Sequence, residues 1–483
     1  MPAGDAYERL SAQDRSFFVF EDASAHMHLG GLGLFDAGPL ATTGGGIDIE
    51  LIRSHIDCRL QLMPRYRQRL AWVPIMHRPV WVDDDHFNLS YHVRHAAVPR
   101  PGDDRQLKAL TASIMSQQLD RSKPLWELWV IEGLRGNRFA LLGKTHHAVA
   151  DGISAFDLFA ALLSTDPDRP SEEEAAPWRP RPAPGLWTLL RDECIYQVTA
   201  PLRLAREVAG ALGDPERLSA RALESLRAIY EVVGAGFPLP PSTPLNRTIG
   251  PHRRFDWLGL DLDEVKAVKR HLGGTVNDVV LATVAGAVRR FLERRGAKVR
   301  ALDYRVVVPV NMRTQDERGI MTNRASAWLM SLPVGEPDAR RRFASIRRKT
   351  ERLKASKQEL GPEALGRAIE YAIPGTLTLG VRLAARLHPY NLIVTNVPGP
   401  QVPIYLLGAR LQAAFPQVPL FESQGFSIAI FSYCGELCWG FNADLDVMPD
   451  LDQFVAAVAA SFAELRRVAQ TDAERGLAGG ALG

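Results

Sequence analysis

Apolar positions along this chain switch repeatedly between a two-residue and a helical period. Residues 29–35 read as a strand, and 47–62 carry apolar side chains at helical spacing. Strands are predicted at 127–132 and 138–145, joined by a tight Arg135-Gly136-Asn137 turn. Asp151 and Gly152 then open a helix to about Leu163, with Ile153, Phe156, Phe159 and Leu163 on one broad face. Residues 165–185 break the pattern with six prolines and an acidic cluster at 172–174. Helical periodicity returns over 186–233, with interruptions expected near Pro201 and at Asp214-Pro215, and a second proline-rich stretch at 237–244 closes it.

The second half resumes the alternation. Thr275-Val276-Asn277-Asp278 has capping-box character, an acceptor followed three residues later by an acid, and predicts a helix to Arg295 stopped by Gly296. The runs 304–310 and 392–395 are β-branched and suit buried strands. Residues 426–433 and 437–443 form a hairpin about a Gly435-Glu436 turn flanked by Cys434 and Cys438. Asp450 is placed to cap a last helix whose stripe is Leu451, Phe454, Val455, Val458, Phe462 and Leu465. The reading is two α/β halves, 1–164 and 246–483, joined by a long crossover over 165–245.

Composition narrows the function. At 483 residues, 46% apolar and 23% charged, the chain has material for two or three structural units with large cores. A net charge of +3 gives no reason to expect a nucleic-acid partner. Four irregularly spaced cysteines make no disulfide framework and fit a reducing cytosol. The first residues lack a secretory pattern, and no apolar run nears the ~20 residues that span a bilayer. A cytoplasmic protein is expected, soluble or peripheral on a membrane or lipid inclusion. Residues 340–357 hold nine Lys/Arg and one acid, Glu351, interleaved with Phe343, Ile346 and Leu353. A membrane- or droplet-facing helix, a landing strip for CoA phosphates and a plain solvated basic face all fit that run. A shorter amphipathic stretch lies at 202–212.

The sharpest chemistry is His146-His147-Ala148-Val149-Ala150-Asp151-Gly152, at the end of an apolar strand and ahead of a helix. An imidazole there suits a general base, since its ordinary pKa is near ~6.5. Adjacent histidines also suit metal ligation, but no third ligand is evident and no metal is expected. Asp151 equally suits a helix cap.

With Pro124-Leu125-Trp126, Asn277-Asp278, Pro309-Val310-Asn311-Met312-Arg313, Asn396-Val397-Pro398-Gly399-Pro400 and the terminal 441–450 segment, the chain resembles the bacterial wax ester synthase/acyl-CoA:diacylglycerol acyltransferases. The motifs occur in the family's order over roughly 10–465. The HHxxxDG motif is shared by a wider CoA-dependent acyltransferase superfamily; the ordered set is far more specific. The resemblance implies a chloramphenicol-acetyltransferase-like fold of two α/β subdomains with a central tunnel. It implies acyl-CoA as a substrate entering one mouth, diacylglycerol or a long-chain alcohol at the other, and no cofactor. His147 would be the base and His146 would make a supporting hydrogen bond. Asp151 would brace the loop, with Arg313 as candidate partner. Asn277, in the first turn of a helix, is the candidate oxyanion donor, with Asp278 supporting it; both also read as helix starters. Pro124, Leu125 and Trp126 would position the catalytic strand, Trp126 lining an acyl pocket or filling a core. Asn396 reads as part of a rigid turn to which the resemblance adds a tunnel wall.

This chain departs from the family pattern at Ser11-Ala12-Gln13-Asp14, at Ser423-Gln424-Gly425 and at Asn311. Those segments bear on acceptor preference and leave His147 untouched. Two other readings remain open: a condensation-type transferase using a carrier-bound acyl donor, and a silent lipid-binding or droplet protein.

Overall fold

The computed structural model describes residues 6–149, 161–168, 177–212, 240–311, 325–356 and 390–480. The first half runs β1 (Glu8–Arg9), α1 (Ala12–Phe20), β2 (His28–Asp36), α2 (Ile49–Leu60), β3 (Gln68–Val73), β4 (Arg78–Asp83), α3 (Leu89–His92), β5 (Val93–Ala97), α4 (Asp104–Ser116), β6 (Trp126–Leu134) and β7 (Arg138–His146). Helix α5 (Leu186–Leu212) belongs to the crossover. Then follow β8 (Arg253–Asp261), α6 (Leu262–Leu272), α7 (Val276–Arg294), β9 (Tyr304–Asn311), β10 (Ala325–Leu332), α8 (Ala339–Ser356), β11 (Leu392–Pro398), β12 (Tyr405–Leu406), β13 (Ala409–Gln417), β14 (Phe426–Tyr433), β15 (Glu436–Asp444) and α9 (Leu451–Gly480).

Two six-stranded sheets organise these elements, one in the order β12-β13-β2-β7-β6-β5 and the other β10-β9-β11-β14-β15-β8. Strands β12 and β13 come from the second half of the sequence yet complete the first sheet, β13 pairing antiparallel with β2. A third, small sheet, β1-β4-β3, carries α5 against it through Leu189.

Local sequence accounts for much of this. The β6–β7 hairpin turns through the three residues Arg135-Gly136-Asn137 between the paired Leu134 and Arg138, with Gly136 and Asn137 both at positive φ, the left-handed conformation that three-residue hairpin loops use. The β14–β15 hairpin turns one residue earlier than its sequence suggests: Tyr433 pairs with Glu436, and Cys434-Gly435 makes the turn with φ of 43° and 84°. Glu436 is therefore strand. Thr275 caps α7 in a reciprocal box with Asp278, and the helix ends before Gly296 at φ +73°. Asp450 precedes α9, but its carboxylate is taken by Arg295. The α5 helix continues through Pro201; one missing N–H removes one rung, and the turns on either side keep theirs.

Helix α7 is buried almost all round, from Val279 to Leu292. A methyl group at Gly286 would sit 2.2 Å from Ser461 Oγ and 2.8 Å from an Arg342 nitrogen, so only glycine lets α7, α8 and α9 approach this closely. On α8, Phe343 and Ile346 face this core and Arg342, 1% exposed, pairs with Glu464. The apolar side of the basic helix is thus committed to the interior and is not free to enter a lipid surface. The side chains of 202–212 lie outside the described residues.

The halves are joined around β8, α4 and the crossing of β13 over β15. Arg253 N–H donates to Ser116 Oγ at 2.8 Å, and the Arg253 guanidinium bonds the carbonyls of Gly250, His252 and Ser24. Lys108 pairs with Asp256 and lies 4.3 Å from the Trp257 ring centre, while Trp257 stacks on Phe415 at 5.1 Å. A Cβ on Gly440 would lie 1.8 Å from the Pro416 carbonyl oxygen, a backbone approach closed to any other residue.

Candidate active site

Strand β7 ends at His146, and His147–Val149 form a short 3-10 turn beyond it. Two backbone bonds fix that turn to its neighbours: His146 N–H donates to Leu125 O at 2.9 Å, and His147 N–H to Met27 O at 2.8 Å. The alternation of β7 sends His146 and Lys144 to one face, beside His28, which pairs in register with His146 across β2.

Helix α1 closes over both imidazoles. Ser11 caps it, accepting from Asp14 N–H at 3.1 Å, so the departure at 11–14 still starts a helix. Phe17 stacks on His147 at 3.8 Å and 22°, and Phe18 stacks on His146 at 4.5 Å and 11°. Glu21, at the C-terminal end of α1, reaches His146 Nε2 at 3.2 Å and Arg121 at 2.6 Å. None of these three residues carries a motif signature; the visible signals were the apolar pair on a capped helix and His26-Met27-His28 at a strand start.

The two histidines differ in their surroundings. Burial drives the His147 pKa down to about 4. His147 is half-buried, with the Phe17 ring stacked on its imidazole. His146 uses both nitrogens internally: Nδ1 accepts from Ala148 N–H at 3.1 Å, and Nε2 faces Glu21. Glu21 would rise on burial, but its bond to His146 and the neighbouring Arg121 guanidinium bring it below the usual carboxylate range. Burial likewise lowers His28, and Lys144, fully buried, falls to about 8 while donating to the carbonyls of Ile114 and Gln117.

The remaining candidates take different places. Trp126 is buried, stacks on His92 at 4.6 Å and donates its indole N–H to Tyr66 O at 2.7 Å. With Leu125 it forms part of the first half's core. Asp278 accepts from Thr275 N–H at 2.7 Å, Thr275 Oγ at 2.8 Å and Thr350 Oγ at 2.7 Å, which ties α7 to α8. Asn277 is half-buried in the first turn of α7. Asn396, read from composition as a turn, lies in β11, paired with Ile430, and the strand runs on to Pro398. Among the described residues β9 pairs with β11 only as far as Ile393, so Pro398 falls beyond that ladder. Among the described residues no hydrogen bond or ring contact joins Asn277, Asp278 or Asn396 to the histidine pair. Asp151 and Arg313 lie outside the described residues, as does the helix expected after Gly152.

Among the described residues no group of three His, Cys, Asp or Glu is placed to hold a metal ion, and no helix is long and apolar enough to cross a membrane. A groove of about 460 Å³ lined by Arg65, Asp83, Trp178 and Arg181 shares no lining residue with the histidine site.

The catalytic-domain model of the wax ester synthase/diacylglycerol acyltransferases matches residues 10–280, and the C-terminal-domain model of the same proteins matches 321–466. A Mycobacterium tuberculosis protein named "Probable diacyglycerol O-acyltransferase tgs1" is 32% identical over 461 residues, covering 94% of this chain and 95% of the relative. The solved wax ester synthase/diacylglycerol acyltransferase of Marinobacter aquaeolei is 25% identical, covers 96% of this chain and 100% of its own, and superposes with a TM-score of 0.70. The first condensation domain of the CDA synthetase shares the two-part α/β fold alone, at 16% identity, coverage of 96% and 97%, and a TM-score of 0.55.

Proposed function

Because this chain belongs to the wax ester synthase/diacylglycerol acyltransferase family, we propose that it moves a long-chain acyl group from acyl-CoA to diacylglycerol or to a long-chain alcohol, with His147 as general base. The observation that carries the base assignment is the state of His147. It is a half-buried ring packed on Phe17, whose pKa burial pushes down to about 4, so that it is neutral at physiological pH. A neutral imidazole with one free acceptor nitrogen is the form that removes a hydroxyl proton.

The hydroxyl oxygen of the acceptor attacks the thioester carbonyl carbon as His147 takes its proton. The tetrahedral intermediate then collapses, the C–S bond breaks, and the departing CoA sulfur receives that proton from the imidazolium. One C–O bond replaces one C–S bond, and no acyl-enzyme is needed. The oxyanion needs a donor placed beforehand; Asn277 and the free N–H groups of the first turn of α7 are the proposed source. Asp151 is proposed to brace the histidine loop against Arg313. Diacylglycerol is placed first among acceptors because a relative at 32% identity carries that activity in its name. Both acceptors partition into lipid, so work at a membrane or lipid-inclusion surface is part of the proposal.

Labelled palmitoyl-CoA supplied with dipalmitoylglycerol or with hexadecanol, followed by separation of the neutral lipids, tests the reading. Labelled triacylglycerol or wax ester is expected. A protein that binds palmitoyl-CoA yet labels neither, and acylates only when the donor is a carrier-protein thioester, would replace it with the condensation-type reaction.

A further inference from the structure

Glu21 is a buried acid that the proposed chemistry does not use. Its side chain is 3% exposed, and it sits 125 residues before the histidine it touches. Three groups converge on its carboxylate. His146 Nε2 lies at 3.2 Å, an Arg121 guanidinium nitrogen at 2.6 Å, and His28 Nε2 at 3.9 Å from the other oxygen. A carboxylate removed from water remains charged only when paired and hydrogen-bonded, as it is here.

The consequence runs through His146. Its Nδ1 accepts from Ala148 N–H at 3.1 Å, and a nitrogen that accepts carries no proton. The proton of the neutral ring must then be on Nε2, the nitrogen facing Glu21. The other tautomer would set two N–H donors against each other at Ala148 and two acceptors against each other at Glu21. Ala148 is the middle residue of the 3-10 turn that begins at His147. The same helix supplies Phe17 against His147 and Phe18 against His146, from consecutive positions on a single element.

We propose that Glu21 is a positioning residue for acyl transfer: by accepting the Nε2 proton of His146, it holds that ring in the tautomer that receives Ala148 N–H, and so fixes the turn that aims His147. Arg121 holds the carboxylate in place from the solvent side, its own side chain 40% exposed. Nothing is transferred to Glu21; its action is geometric. This inference rests on His147 being the base.

The test compares Glu21→Ala, Glu21→Gln and His147→Ala in palmitoyl-CoA turnover, with thermal melts to confirm folding. Glu21→Ala should lower kcat at least tenfold with KM for palmitoyl-CoA and for the acceptor within about twofold, because the base is misaimed while the substrate surfaces stay. Glu21→Gln should recover most of kcat, since its carboxamide oxygen still accepts from Nε2. Nitrogen NMR of labelled histidine should show the Nε2–H tautomer of His146 in the wild type and in Glu21→Gln, and its loss in Glu21→Ala. Wild-type kcat in Glu21→Ala, or a loss shared with KM that Glu21→Gln does not recover, overturns the proposal. If Glu21→Ala does not fold, the kcat and tautomer of Glu21→Gln decide it. Should His147→Ala retain turnover, the base assignment fails instead, and the two failures are told apart.

Discussion

Neighbouring residues at the start of α7 should separate stability from chemistry. The perturbation is Asp278→Ala against Asn277→Ala. Asp278 is 1% exposed, and three donors end on its carboxylate: Thr275 N–H, Thr275 Oγ and Thr350 Oγ. Removing the carboxylate dismantles the reciprocal cap, which costs about 1 kcal/mol and leaves the Thr275 N–H without its acceptor. It also removes the charge-assisted bond from Thr350, about 1.5–3 kcal/mol, although that hydroxyl keeps the Arg347 carbonyl at 3.0 Å as a fallback. The sum is about 2–4 kcal/mol, and a fall in melting temperature on the order of 5–10 °C. Asp278→Asn should lose much less. Its oxygen keeps Thr275, and its NH2 can donate to the Thr350 hydroxyl as that hydroxyl turns to Arg347. Asn277 is half-buried and has no part in the capping box, so Asn277→Ala should melt within about 0.5 kcal/mol of wild type. Its turnover should nevertheless fall on the order of 100-fold if it serves the oxyanion. Thermal melts and thiol-release rates on the same preparations give both readings. An Asp278→Ala protein with wild-type melting and collapsed turnover would refute the reasoning, because the carboxylate would then act in the reaction and not in the cap.

Three further outcomes follow from the structure. Burial holds His147 below the ordinary histidine value, so kcat/KM should stay level as pH falls from 8 to about 6.5 and decline only below that; an acid limb centred near 6.5 would contradict the buried ring. His26, His28, His55 and His92 are also lowered by burial. The unfolded chain therefore binds more protons than the folded one below about 6.5, and denaturant unfolding should show stability falling as pH drops through that window. Gly286→Ala places a methyl 2.2 Å from Ser461 Oγ and should cost about 1–3 kcal/mol in the same unfolding assay. Adding Ser461→Ala should recover part of that cost, and no recovery would mean that the Arg342 contact dominates.

What the sequence made legible was local. The capping box at Thr275, the β6–β7 hairpin and the histidine pair at a strand end each depend on residues a few positions apart, and each stands where its spacing places it. Contacts that depend on distant residues were hidden. Strands β12 and β13 enter the first sheet across hundreds of residues, and strand periodicity names no partner. Glu21 and Arg121 converge on His146 from separate segments, so no motif contains them. The run from Asn396 to Pro400 misled in the opposite direction: Pro and Gly composition reads as a turn, yet Asn396 to Pro398 pair with β14 as strand. In the basic stretch, periodicity could not say whether Phe343 and Ile346 face lipid or core, and packing against α7 and α9 assigns them to the core.

The central claim is that His147 is the base of an acyl transfer from CoA, and acceptor-dependent thiol release from palmitoyl-CoA tests it most directly. Wild-type protein should release CoA when dipalmitoylglycerol or hexadecanol is present. His147→Ala, folded and still binding palmitoyl-CoA, should lose that release by at least a hundredfold. Release that survives in His147→Ala would contradict the account.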